Sequence, residues 1–252
     1  MHRLGRLGRR PSRSDDQQRR VWLIDLDNTL HDASWRLMAE INARMTGFIS
    51  DRLGVSLQAA GALRTRYWHR YGATLLGLIR HHGVEANDFL RATHPDRDLP
   101  PFVARRPGLR RELAALTGQR WLVTNAPRDY TDHLLRILGI AQCFDRLVCI
   151  DDMHSISRLR PKPHPLLWRR LIRAAGRRPS ELCLIDDSAA NLRTAHRVGI
   201  GTARLWASPS QRKLGWAHQR PASALRPSYV RVQVNSWPSL IRRLGDRPQG
   251  RP

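Results

Sequence analysis

Short apolar runs alternate with helical stretches over most of this chain, and that alternation narrows its fold more than any other feature. Val21-Trp22-Leu23-Ile24 is the first run, and it ends in Asp25-Leu26-Asp27-Asn28-Thr29. The run is continuously apolar, which suits a strand buried on both faces of a parallel sheet. After Arg106-Pro107-Gly108 the pattern resumes. A helix is predicted over Leu109 to Leu116 and a strand over Arg120 to Val123, ending in Thr124-Asn125. Next come a helix from Tyr130 to Leu138, a strand from Leu147 to Ile150 and a helix from Pro165 to Ala175. A strand from Glu181 to Ile185 then ends in Asp186-Asp187, before a helix from Ser188 to Val198 and a strand over Thr202 to Leu205. Strands alternating with helices predict an α/β fold with a doubly wound parallel sheet.

One block breaks the alternation. Trp35, Met38, Ile41, Met45, Ile49 and Leu53 recur at steps of three and four, with Ser34 as an N-cap. Further helices are expected near Ser56 to Tyr71, over Thr74 to His82 with Gly83 as a stop, and from about Asn87. The block reads as an all-helical insertion over 34–103, closed by a Pro-rich linker from His94-Pro95 to Pro100-Pro101. The core would then comprise 21–33 and 104–206. Residues 1–20 read as a disordered basic tail, and 207–252 as a loosely ordered, basic, Pro-rich extension in which Tyr229 to Val234 alternates like a strand and Leu240 to Leu244 could form a helical turn; no motif in it points to a function.

The net charge of +23 is carried almost wholly by arginine. Clustered cations bind phosphate backbones, so nucleic-acid binding through the basic tails is one reading. The arginines are spread over the whole chain, however, which favours an arginine-rich codon bias. The charge would still draw small anionic substrates. No apolar run is long enough to span a bilayer, so no membrane role is expected. Cys143, Cys149 and Cys183 lack metal-ligand spacing, and their odd number without a secretion signal fits a cytoplasmic protein.

The polar motifs lie at or just beyond element boundaries, where ligands bind in open parallel sheets. Asp25 and Asp27, two apart in an extended segment, project to one face. Crowded carboxylates repel unless a cation lies between them, and a hard divalent ion, most simply Mg2+, resolves that. One carboxylate could attack phosphorus while the other passes protons. Asp186 and Asp187 with Ser188 and Asn191 open a helix; capping explains one acid there, and metal ligation suits the second. Thr124 and Asn125 offer a hydroxyl and an amide to a phosphoryl oxygen. Lys162, between Pro161 and Pro163, is one of two lysines in the chain, the other being Lys213. A position that keeps lysine among so many arginines suits a compact point charge beside a phosphoryl group. Each motif alone also reads as an ordinary turn, cap or solvated loop; their joint order is the specific signal.

That order resembles the four signature motifs of the haloacid dehalogenase superfamily, over about Val21 to Leu205. The resemblance implies a Rossmann-like core with a helical cap inserted after the first strand. It implies phosphomonoester hydrolysis through an aspartyl-phosphate, with Asp25 as nucleophile and Asp27 as general acid/base. Mg2+ would be held by Asp25, the carbonyl of Asp27 and Asp187, with Asp186 nearby; Thr124, Asn125 and Lys162 would hold the phosphoryl group. The dehalogenase branch lacks the second motif aspartate, so Asp27 favours phosphoryl transfer; a phosphomutase would share Asp27 and stays open. The cap segment Tyr67-Trp68-His69-Arg70-Tyr71-Gly72-Ala73-Thr74-Leu75-Leu76-Gly77-Leu78, with His81-His82-Gly83-Val84, Phe89-Leu90 and Thr93-His94, is similar to the pyrimidine 5′-nucleotidase subgroup. That likeness implies a small phosphorylated metabolite as substrate and makes Tyr71 a candidate contact.

Overall fold

The computed structural model describes residues 19–33, 37–94, 103, 106–155, 158–205 and 226–245. Ser34 and Trp35 lie outside these residues, as do nearly all of the basic tail, the Pro95–Pro101 linker, and much of the C-terminal extension. The first strand, β1 (Val21–Ile24), lies at the middle of a six-stranded sheet. The others are β2 (Gln119–Val123), β3 (Arg146–Val148), β6 (Leu182–Asp186), β7 (Gly201–Leu205) and β8 (Val232–Val234). Their order is β3-β2-β1-β6-β7-β8, and every pairing is parallel. The parallel α/β sheet expected from the alternation, and the Rossmann-like core that the resemblance implies, are what the chain adopts.

The continuous apolar run of β1 has a direct physical use. Trp22 and Ile24 join one core cluster and Val21 and Leu23 the other, on opposite faces of the sheet. All four are at most 4% exposed, which a strand with one wet face could not accommodate. One face is covered by α5 (Leu109–Ala114), α6 (Arg128–Leu138) and α9 (Trp237–Gly245), the other by α7 (Pro165–Ala175) and α8 (Ala189–Arg197).

The cap follows β1 as α1 (Leu37–Leu53), α2 (Leu57–Tyr71), α3 (Thr74–His82) and α4 (Ala86–Thr93). Ser56 caps α2 by accepting from the Ala59 N–H, and Gly72 ends it at φ 81. The cap has its own core around Ile49, Tyr67, Leu78 and Phe89. Ile150 from the sheet domain joins that cluster, so the cap rests on the main body through apolar contact.

Two segments differ from the sequence reading. The strand expected over Leu147–Ile150 stops at Val148, and Ile150–Asp152 forms a 3-10 turn leading to a hairpin, β4 (His154–Ser155) and β5 (Arg158–Leu159). Two-residue strands are too short to leave a periodic signal. Residues 226–245, expected to be loosely ordered, instead complete the sheet and its cover as β8 and α9. Trp237 is buried at 3% exposure, and its indole N–H donates to the Thr29 carbonyl (2.8 Å). The three cysteines are free and buried. Among the described residues no helix is long and apolar enough to cross a membrane.

Candidate active site

The carboxyl ends of β1, β2 and β6 bring the separated motifs together. Asp25 extends the β1–β6 pairing by one residue, its N–H donating to the Ile185 carbonyl (3.0 Å). Its carboxylate is nearly buried. Lys162 Nζ donates to Asp25 Oδ1 (2.5 Å) and to Asp186 Oδ2 (3.1 Å), and Thr29 Oγ1 donates to Asp25 Oδ2 (3.1 Å). Trp237 holds the carbonyl of that same Thr29, so the C-terminal helix braces the loop that carries Asp25.

Asp186 is fully buried, and both of its oxygens are engaged. Oδ1 accepts from the Ser188 N–H (2.7 Å) and from Asn191 Nδ2 (3.1 Å). Oδ2 accepts from Asn191 Nδ2 (2.9 Å) and Lys162. The carboxylate of Asp187 accepts no hydrogen bond among the described residues; its carbonyl accepts from Arg204 Nε (3.1 Å).

Asn125 was expected to face a phosphoryl oxygen; its amide also clamps the lysine loop. Nδ2 donates to the Lys162 carbonyl (2.9 Å) and Oδ1 accepts from the Lys162 N–H (2.9 Å). Thr124 is buried; its Oγ1 accepts from the Ala126 N–H (3.1 Å), and its own hydrogen has no acceptor among the described residues. Asp27 lies half-buried beside Asp25, with Oδ1 accepting from His31 Nε2 and the Tyr130 hydroxyl (2.9 Å each). Neither partner was singled out in the sequence; the only cue for His31 is its place four residues after Asp27. In the cap, the Tyr71 hydroxyl meets His81 Nε2 (2.5 Å). The next residue, Gly72, is where the cap touches the lysine loop: a Cβ there would lie 2.6 Å from Pro163 Cδ.

The electrostatics follow from crowding. Burial pushes the Asp25 carboxyl up to about 7; Lys162 pulls it back, and Asp186 pushes it further up. Burial, Asp186 and Asp25 hold Asp187 well above the usual carboxylate range. For Lys162 burial acts downward, but Asp186 and Asp25 outweigh it, so its pKa is raised and it stays charged. For Asp27 burial acts upward, but the bonds from His31 and Tyr130 win and its pKa is lowered. Burial lowers His94 to about 4, so that ring is neutral.

One lysine thus faces three carboxylates, Asp25, Asp186 and Asp187, whose nearest ligand atoms all lie within 4.8 Å of one another. Asp187, whose carboxylate accepts no hydrogen bond among the described residues, and the raised pKa values of Asp25 and Asp187 mark a site crowded with negative charge. A hard divalent cation with oxygen ligands fits it.

A model of the haloacid dehalogenase-like hydrolases matches residues 20–199. The chain belongs to that family. Hydrolases of this family use Mg2+, which the aspartate cluster could bind. Phosphate metabolism protein 8 of Saccharomyces cerevisiae is 26% identical over 196 residues, covering 74% of this chain and 61% of its own length. The chain therefore spans less than two thirds of that relative. Phosphoglycolate phosphatase 1 of Pseudomonas aeruginosa is 24% identical over 228 residues, or 84% of this chain and 75% of the relative. A crystal structure of a HAD phosphatase from Thermococcus onnurineus superposes with a TM-score of 0.58 at 18% identity, covering 90% of this chain and 98% of that one. At that identity the likeness speaks for the fold.

The shifted carboxyls make a pH-dependent prediction. The folded pKa of Asp25 lies above its ordinary 3.8, so the folded state holds a proton that the unfolded state releases. Stability of the metal-free protein is expected to fall as pH rises from about 4 to about 7, with Asp187 acting in the same direction. Mg2+ competes with those protons, so it should stabilise more at pH 8 than at pH 5. A ligand at 100 times its Kd contributes about 2.7 kcal/mol, or roughly 5–10 °C in Tm for a chain of this size. Thermal melts with Mg2+ and with EDTA at both pH values check this; an equal Tm shift at both would count against proton competition at these acids.

Proposed function

We propose that this chain is a Mg2+-dependent phosphomonoester hydrolase working through an aspartyl-phosphate on Asp25. The observation that carries the reading is Lys162, buried and bridging Asp25 to Asp186, with Asp187 beside them. That arrangement keeps Asp25 close to a cation that can also meet a phosphoryl oxygen. Asp25 attacks phosphorus; Asp27 protonates the leaving oxygen and then takes a proton from the attacking water. Thr124 offers its hydroxyl hydrogen, and Lys162 its charge, to the phosphoryl oxygens, while Asn125 fixes the lysine backbone. Asp25, the Asp27 carbonyl and Asp187 would hold Mg2+, with Asp186 orienting Lys162. The bound ion would neutralise charge on the transferring group and hold it in line for attack.

The substrate we propose is a pyrimidine nucleoside 5′-monophosphate or a similar small phosphometabolite. The cap motif supports it, as does the position of Tyr71 beside the Gly72–Pro163 contact. The test is free-phosphate release from a panel of phosphomonoesters, with Mg2+ or with a chelator. The panel holds UMP, CMP, purine monophosphates and, given the Pseudomonas relative, phosphoglycolate. Mg2+-dependent release strongest on UMP or CMP is expected. Release strongest on phosphoglycolate would keep the mechanism and remove the nucleotide assignment. A mutase would isomerise its substrate and release no phosphate.

A further inference from the structure

The two oxygens of Asp27 are not equivalent. Oδ1 accepts from His31 Nε2–H and from the Tyr130 hydroxyl, at 2.9 Å each. Among the described residues no hydrogen bond reaches Oδ2. The donors come from different elements, the loop after β1 and the first turn of α6, so they fix the carboxylate from two directions. Both are buried: the His31 side chain is 1% exposed and Tyr130 is 1% exposed. Asp27 keeps 25% of its own side chain exposed. The oxygen that is held therefore faces buried donors, and the carboxylate still keeps part of its surface exposed. Tyr130 is itself held, because the His94 ring at the end of the cap packs its edge against it (centroids 5.4 Å apart). His31 Nδ1 has no partner among the described residues, so the proton that His31 donates to Asp27 belongs on Nε2.

A carboxylate oxygen that accepts two short hydrogen bonds has its lone pairs and charge engaged there. A proton carried by the same carboxyl then belongs on the other oxygen. We propose that His31 and Tyr130 are positioning residues that reserve Oδ2 of Asp27 for proton transfer. The inference rests on reading Asp27 as the general acid/base. In the first step the bond from phosphorus to the leaving oxygen breaks as the bond to Asp25 forms, and the Oδ2 proton, favoured by the anionic phosphoryl group against the two donors that hold the free carboxylate, passes to the leaving oxygen. In the second, a water oxygen bonds to phosphorus, the bond to Asp25 breaks, and a water proton returns to Oδ2.

Leaving groups of different basicity test this. p-Nitrophenolate departs without a proton, whereas a sugar or glycerol alkoxide needs one. The ratio kcat/KM reports steps up to that departure, so it isolates the acid role. Tyr130→Phe and His31→Ala are each expected to lower kcat/KM by about 10–100-fold on an alkyl phosphate and by less than about 3-fold on p-nitrophenyl phosphate. His31→Gln, which can restore a donor, should recover part of the loss. Equal losses on both substrates would mean a merely structural role and would overturn the proposal, as would no loss on either. Tyr130→Phe removes a single oxygen and keeps the ring against His94, so a folded variant is expected, and a melt verifies it. Asp27→Asn separates the two readings. If it keeps wild-type rates on alkyl phosphates, the acid/base assignment itself fails. If it shows the leaving-group selectivity and the His31 and Tyr130 variants do not, only the positioning inference fails.

Discussion

Asp25→Asn is expected to lower phosphate release by at least about 10⁴-fold on any substrate that the wild-type protein hydrolyses. The amide has the shape of the carboxylate but neither its charge nor its nucleophilic oxygen, so no covalent intermediate can form. The same change should leave the fold intact and even favour it. Burial already pushes the Asp25 carboxyl up to about 7, so a neutral group there removes a charge that the site disfavours. In metal-free buffer at pH 8 the variant should melt at or above the wild-type temperature, a trade of stability for function. Its gain from Mg2+ should shrink, because one proposed ligand has lost its charge. Phosphate assays and melts on the same preparations check both halves. Wild-type turnover in the variant would remove Asp25 as nucleophile, and a collapsed fold would remove the electrostatic account of its burial.

The sheet was legible in the sequence because strands buried on both faces leave continuous apolar runs, as in Val21–Ile24 and Leu182–Ile185. The cap helices were legible because their stops are chemical: Ser56 opens α2, and Gly72 and Gly83 close α2 and α3 in left-handed conformations. The acid pairs and Lys162 could be named because each lies at or just beyond the boundary of an element. What stayed hidden were partners set by tertiary contact. Nothing local tells Tyr130 from any other apolar residue of an amphipathic helix; only the fold brings its hydroxyl to Asp27, 103 residues earlier. Trp237 is the same case across 208 residues. Asn125 was read as a phosphate contact because a Thr-Asn pair at a strand end offers donors, and the sequence cannot show that its amide also pairs with the Lys162 backbone. β8 was nearly lost because the short alternation over Tyr229 to Val234 weighs little against a Pro- and Arg-rich neighbourhood.

Lys162→Met should act on catalysis and stability together, and the two can be told apart. Removing a cation aimed at developing phosphoryl charge is expected to lower kcat by about 10²–10³-fold. The variant also leaves Asp25 and the fully buried Asp186 without their shared partner. Breaking a buried ion pair by deleting one member costs about 3–5 kcal/mol, because the orphaned charge stays buried. Here the carboxyls can instead take up protons, so the loss should be greatest at pH 8 and smaller at pH 5, where protonation relieves it. Mg2+ should restore more stability to this variant than to the wild type, since the ion would then carry the whole task of neutralising the aspartates. Lys162→Arg is not expected to rescue: the buried Nζ meets two carboxylates as a single point charge, and a planar guanidinium does not reproduce that geometry. Melting curves at both pH values, with Mg2+ and with EDTA, read the stability half, and initial rates at saturating substrate read the catalytic half. A variant that melts like the wild type at pH 8 without metal would show that Lys162 is not what keeps these buried carboxylates tolerable. Asp186 would then have to be held by Ser188 and Asn191 alone.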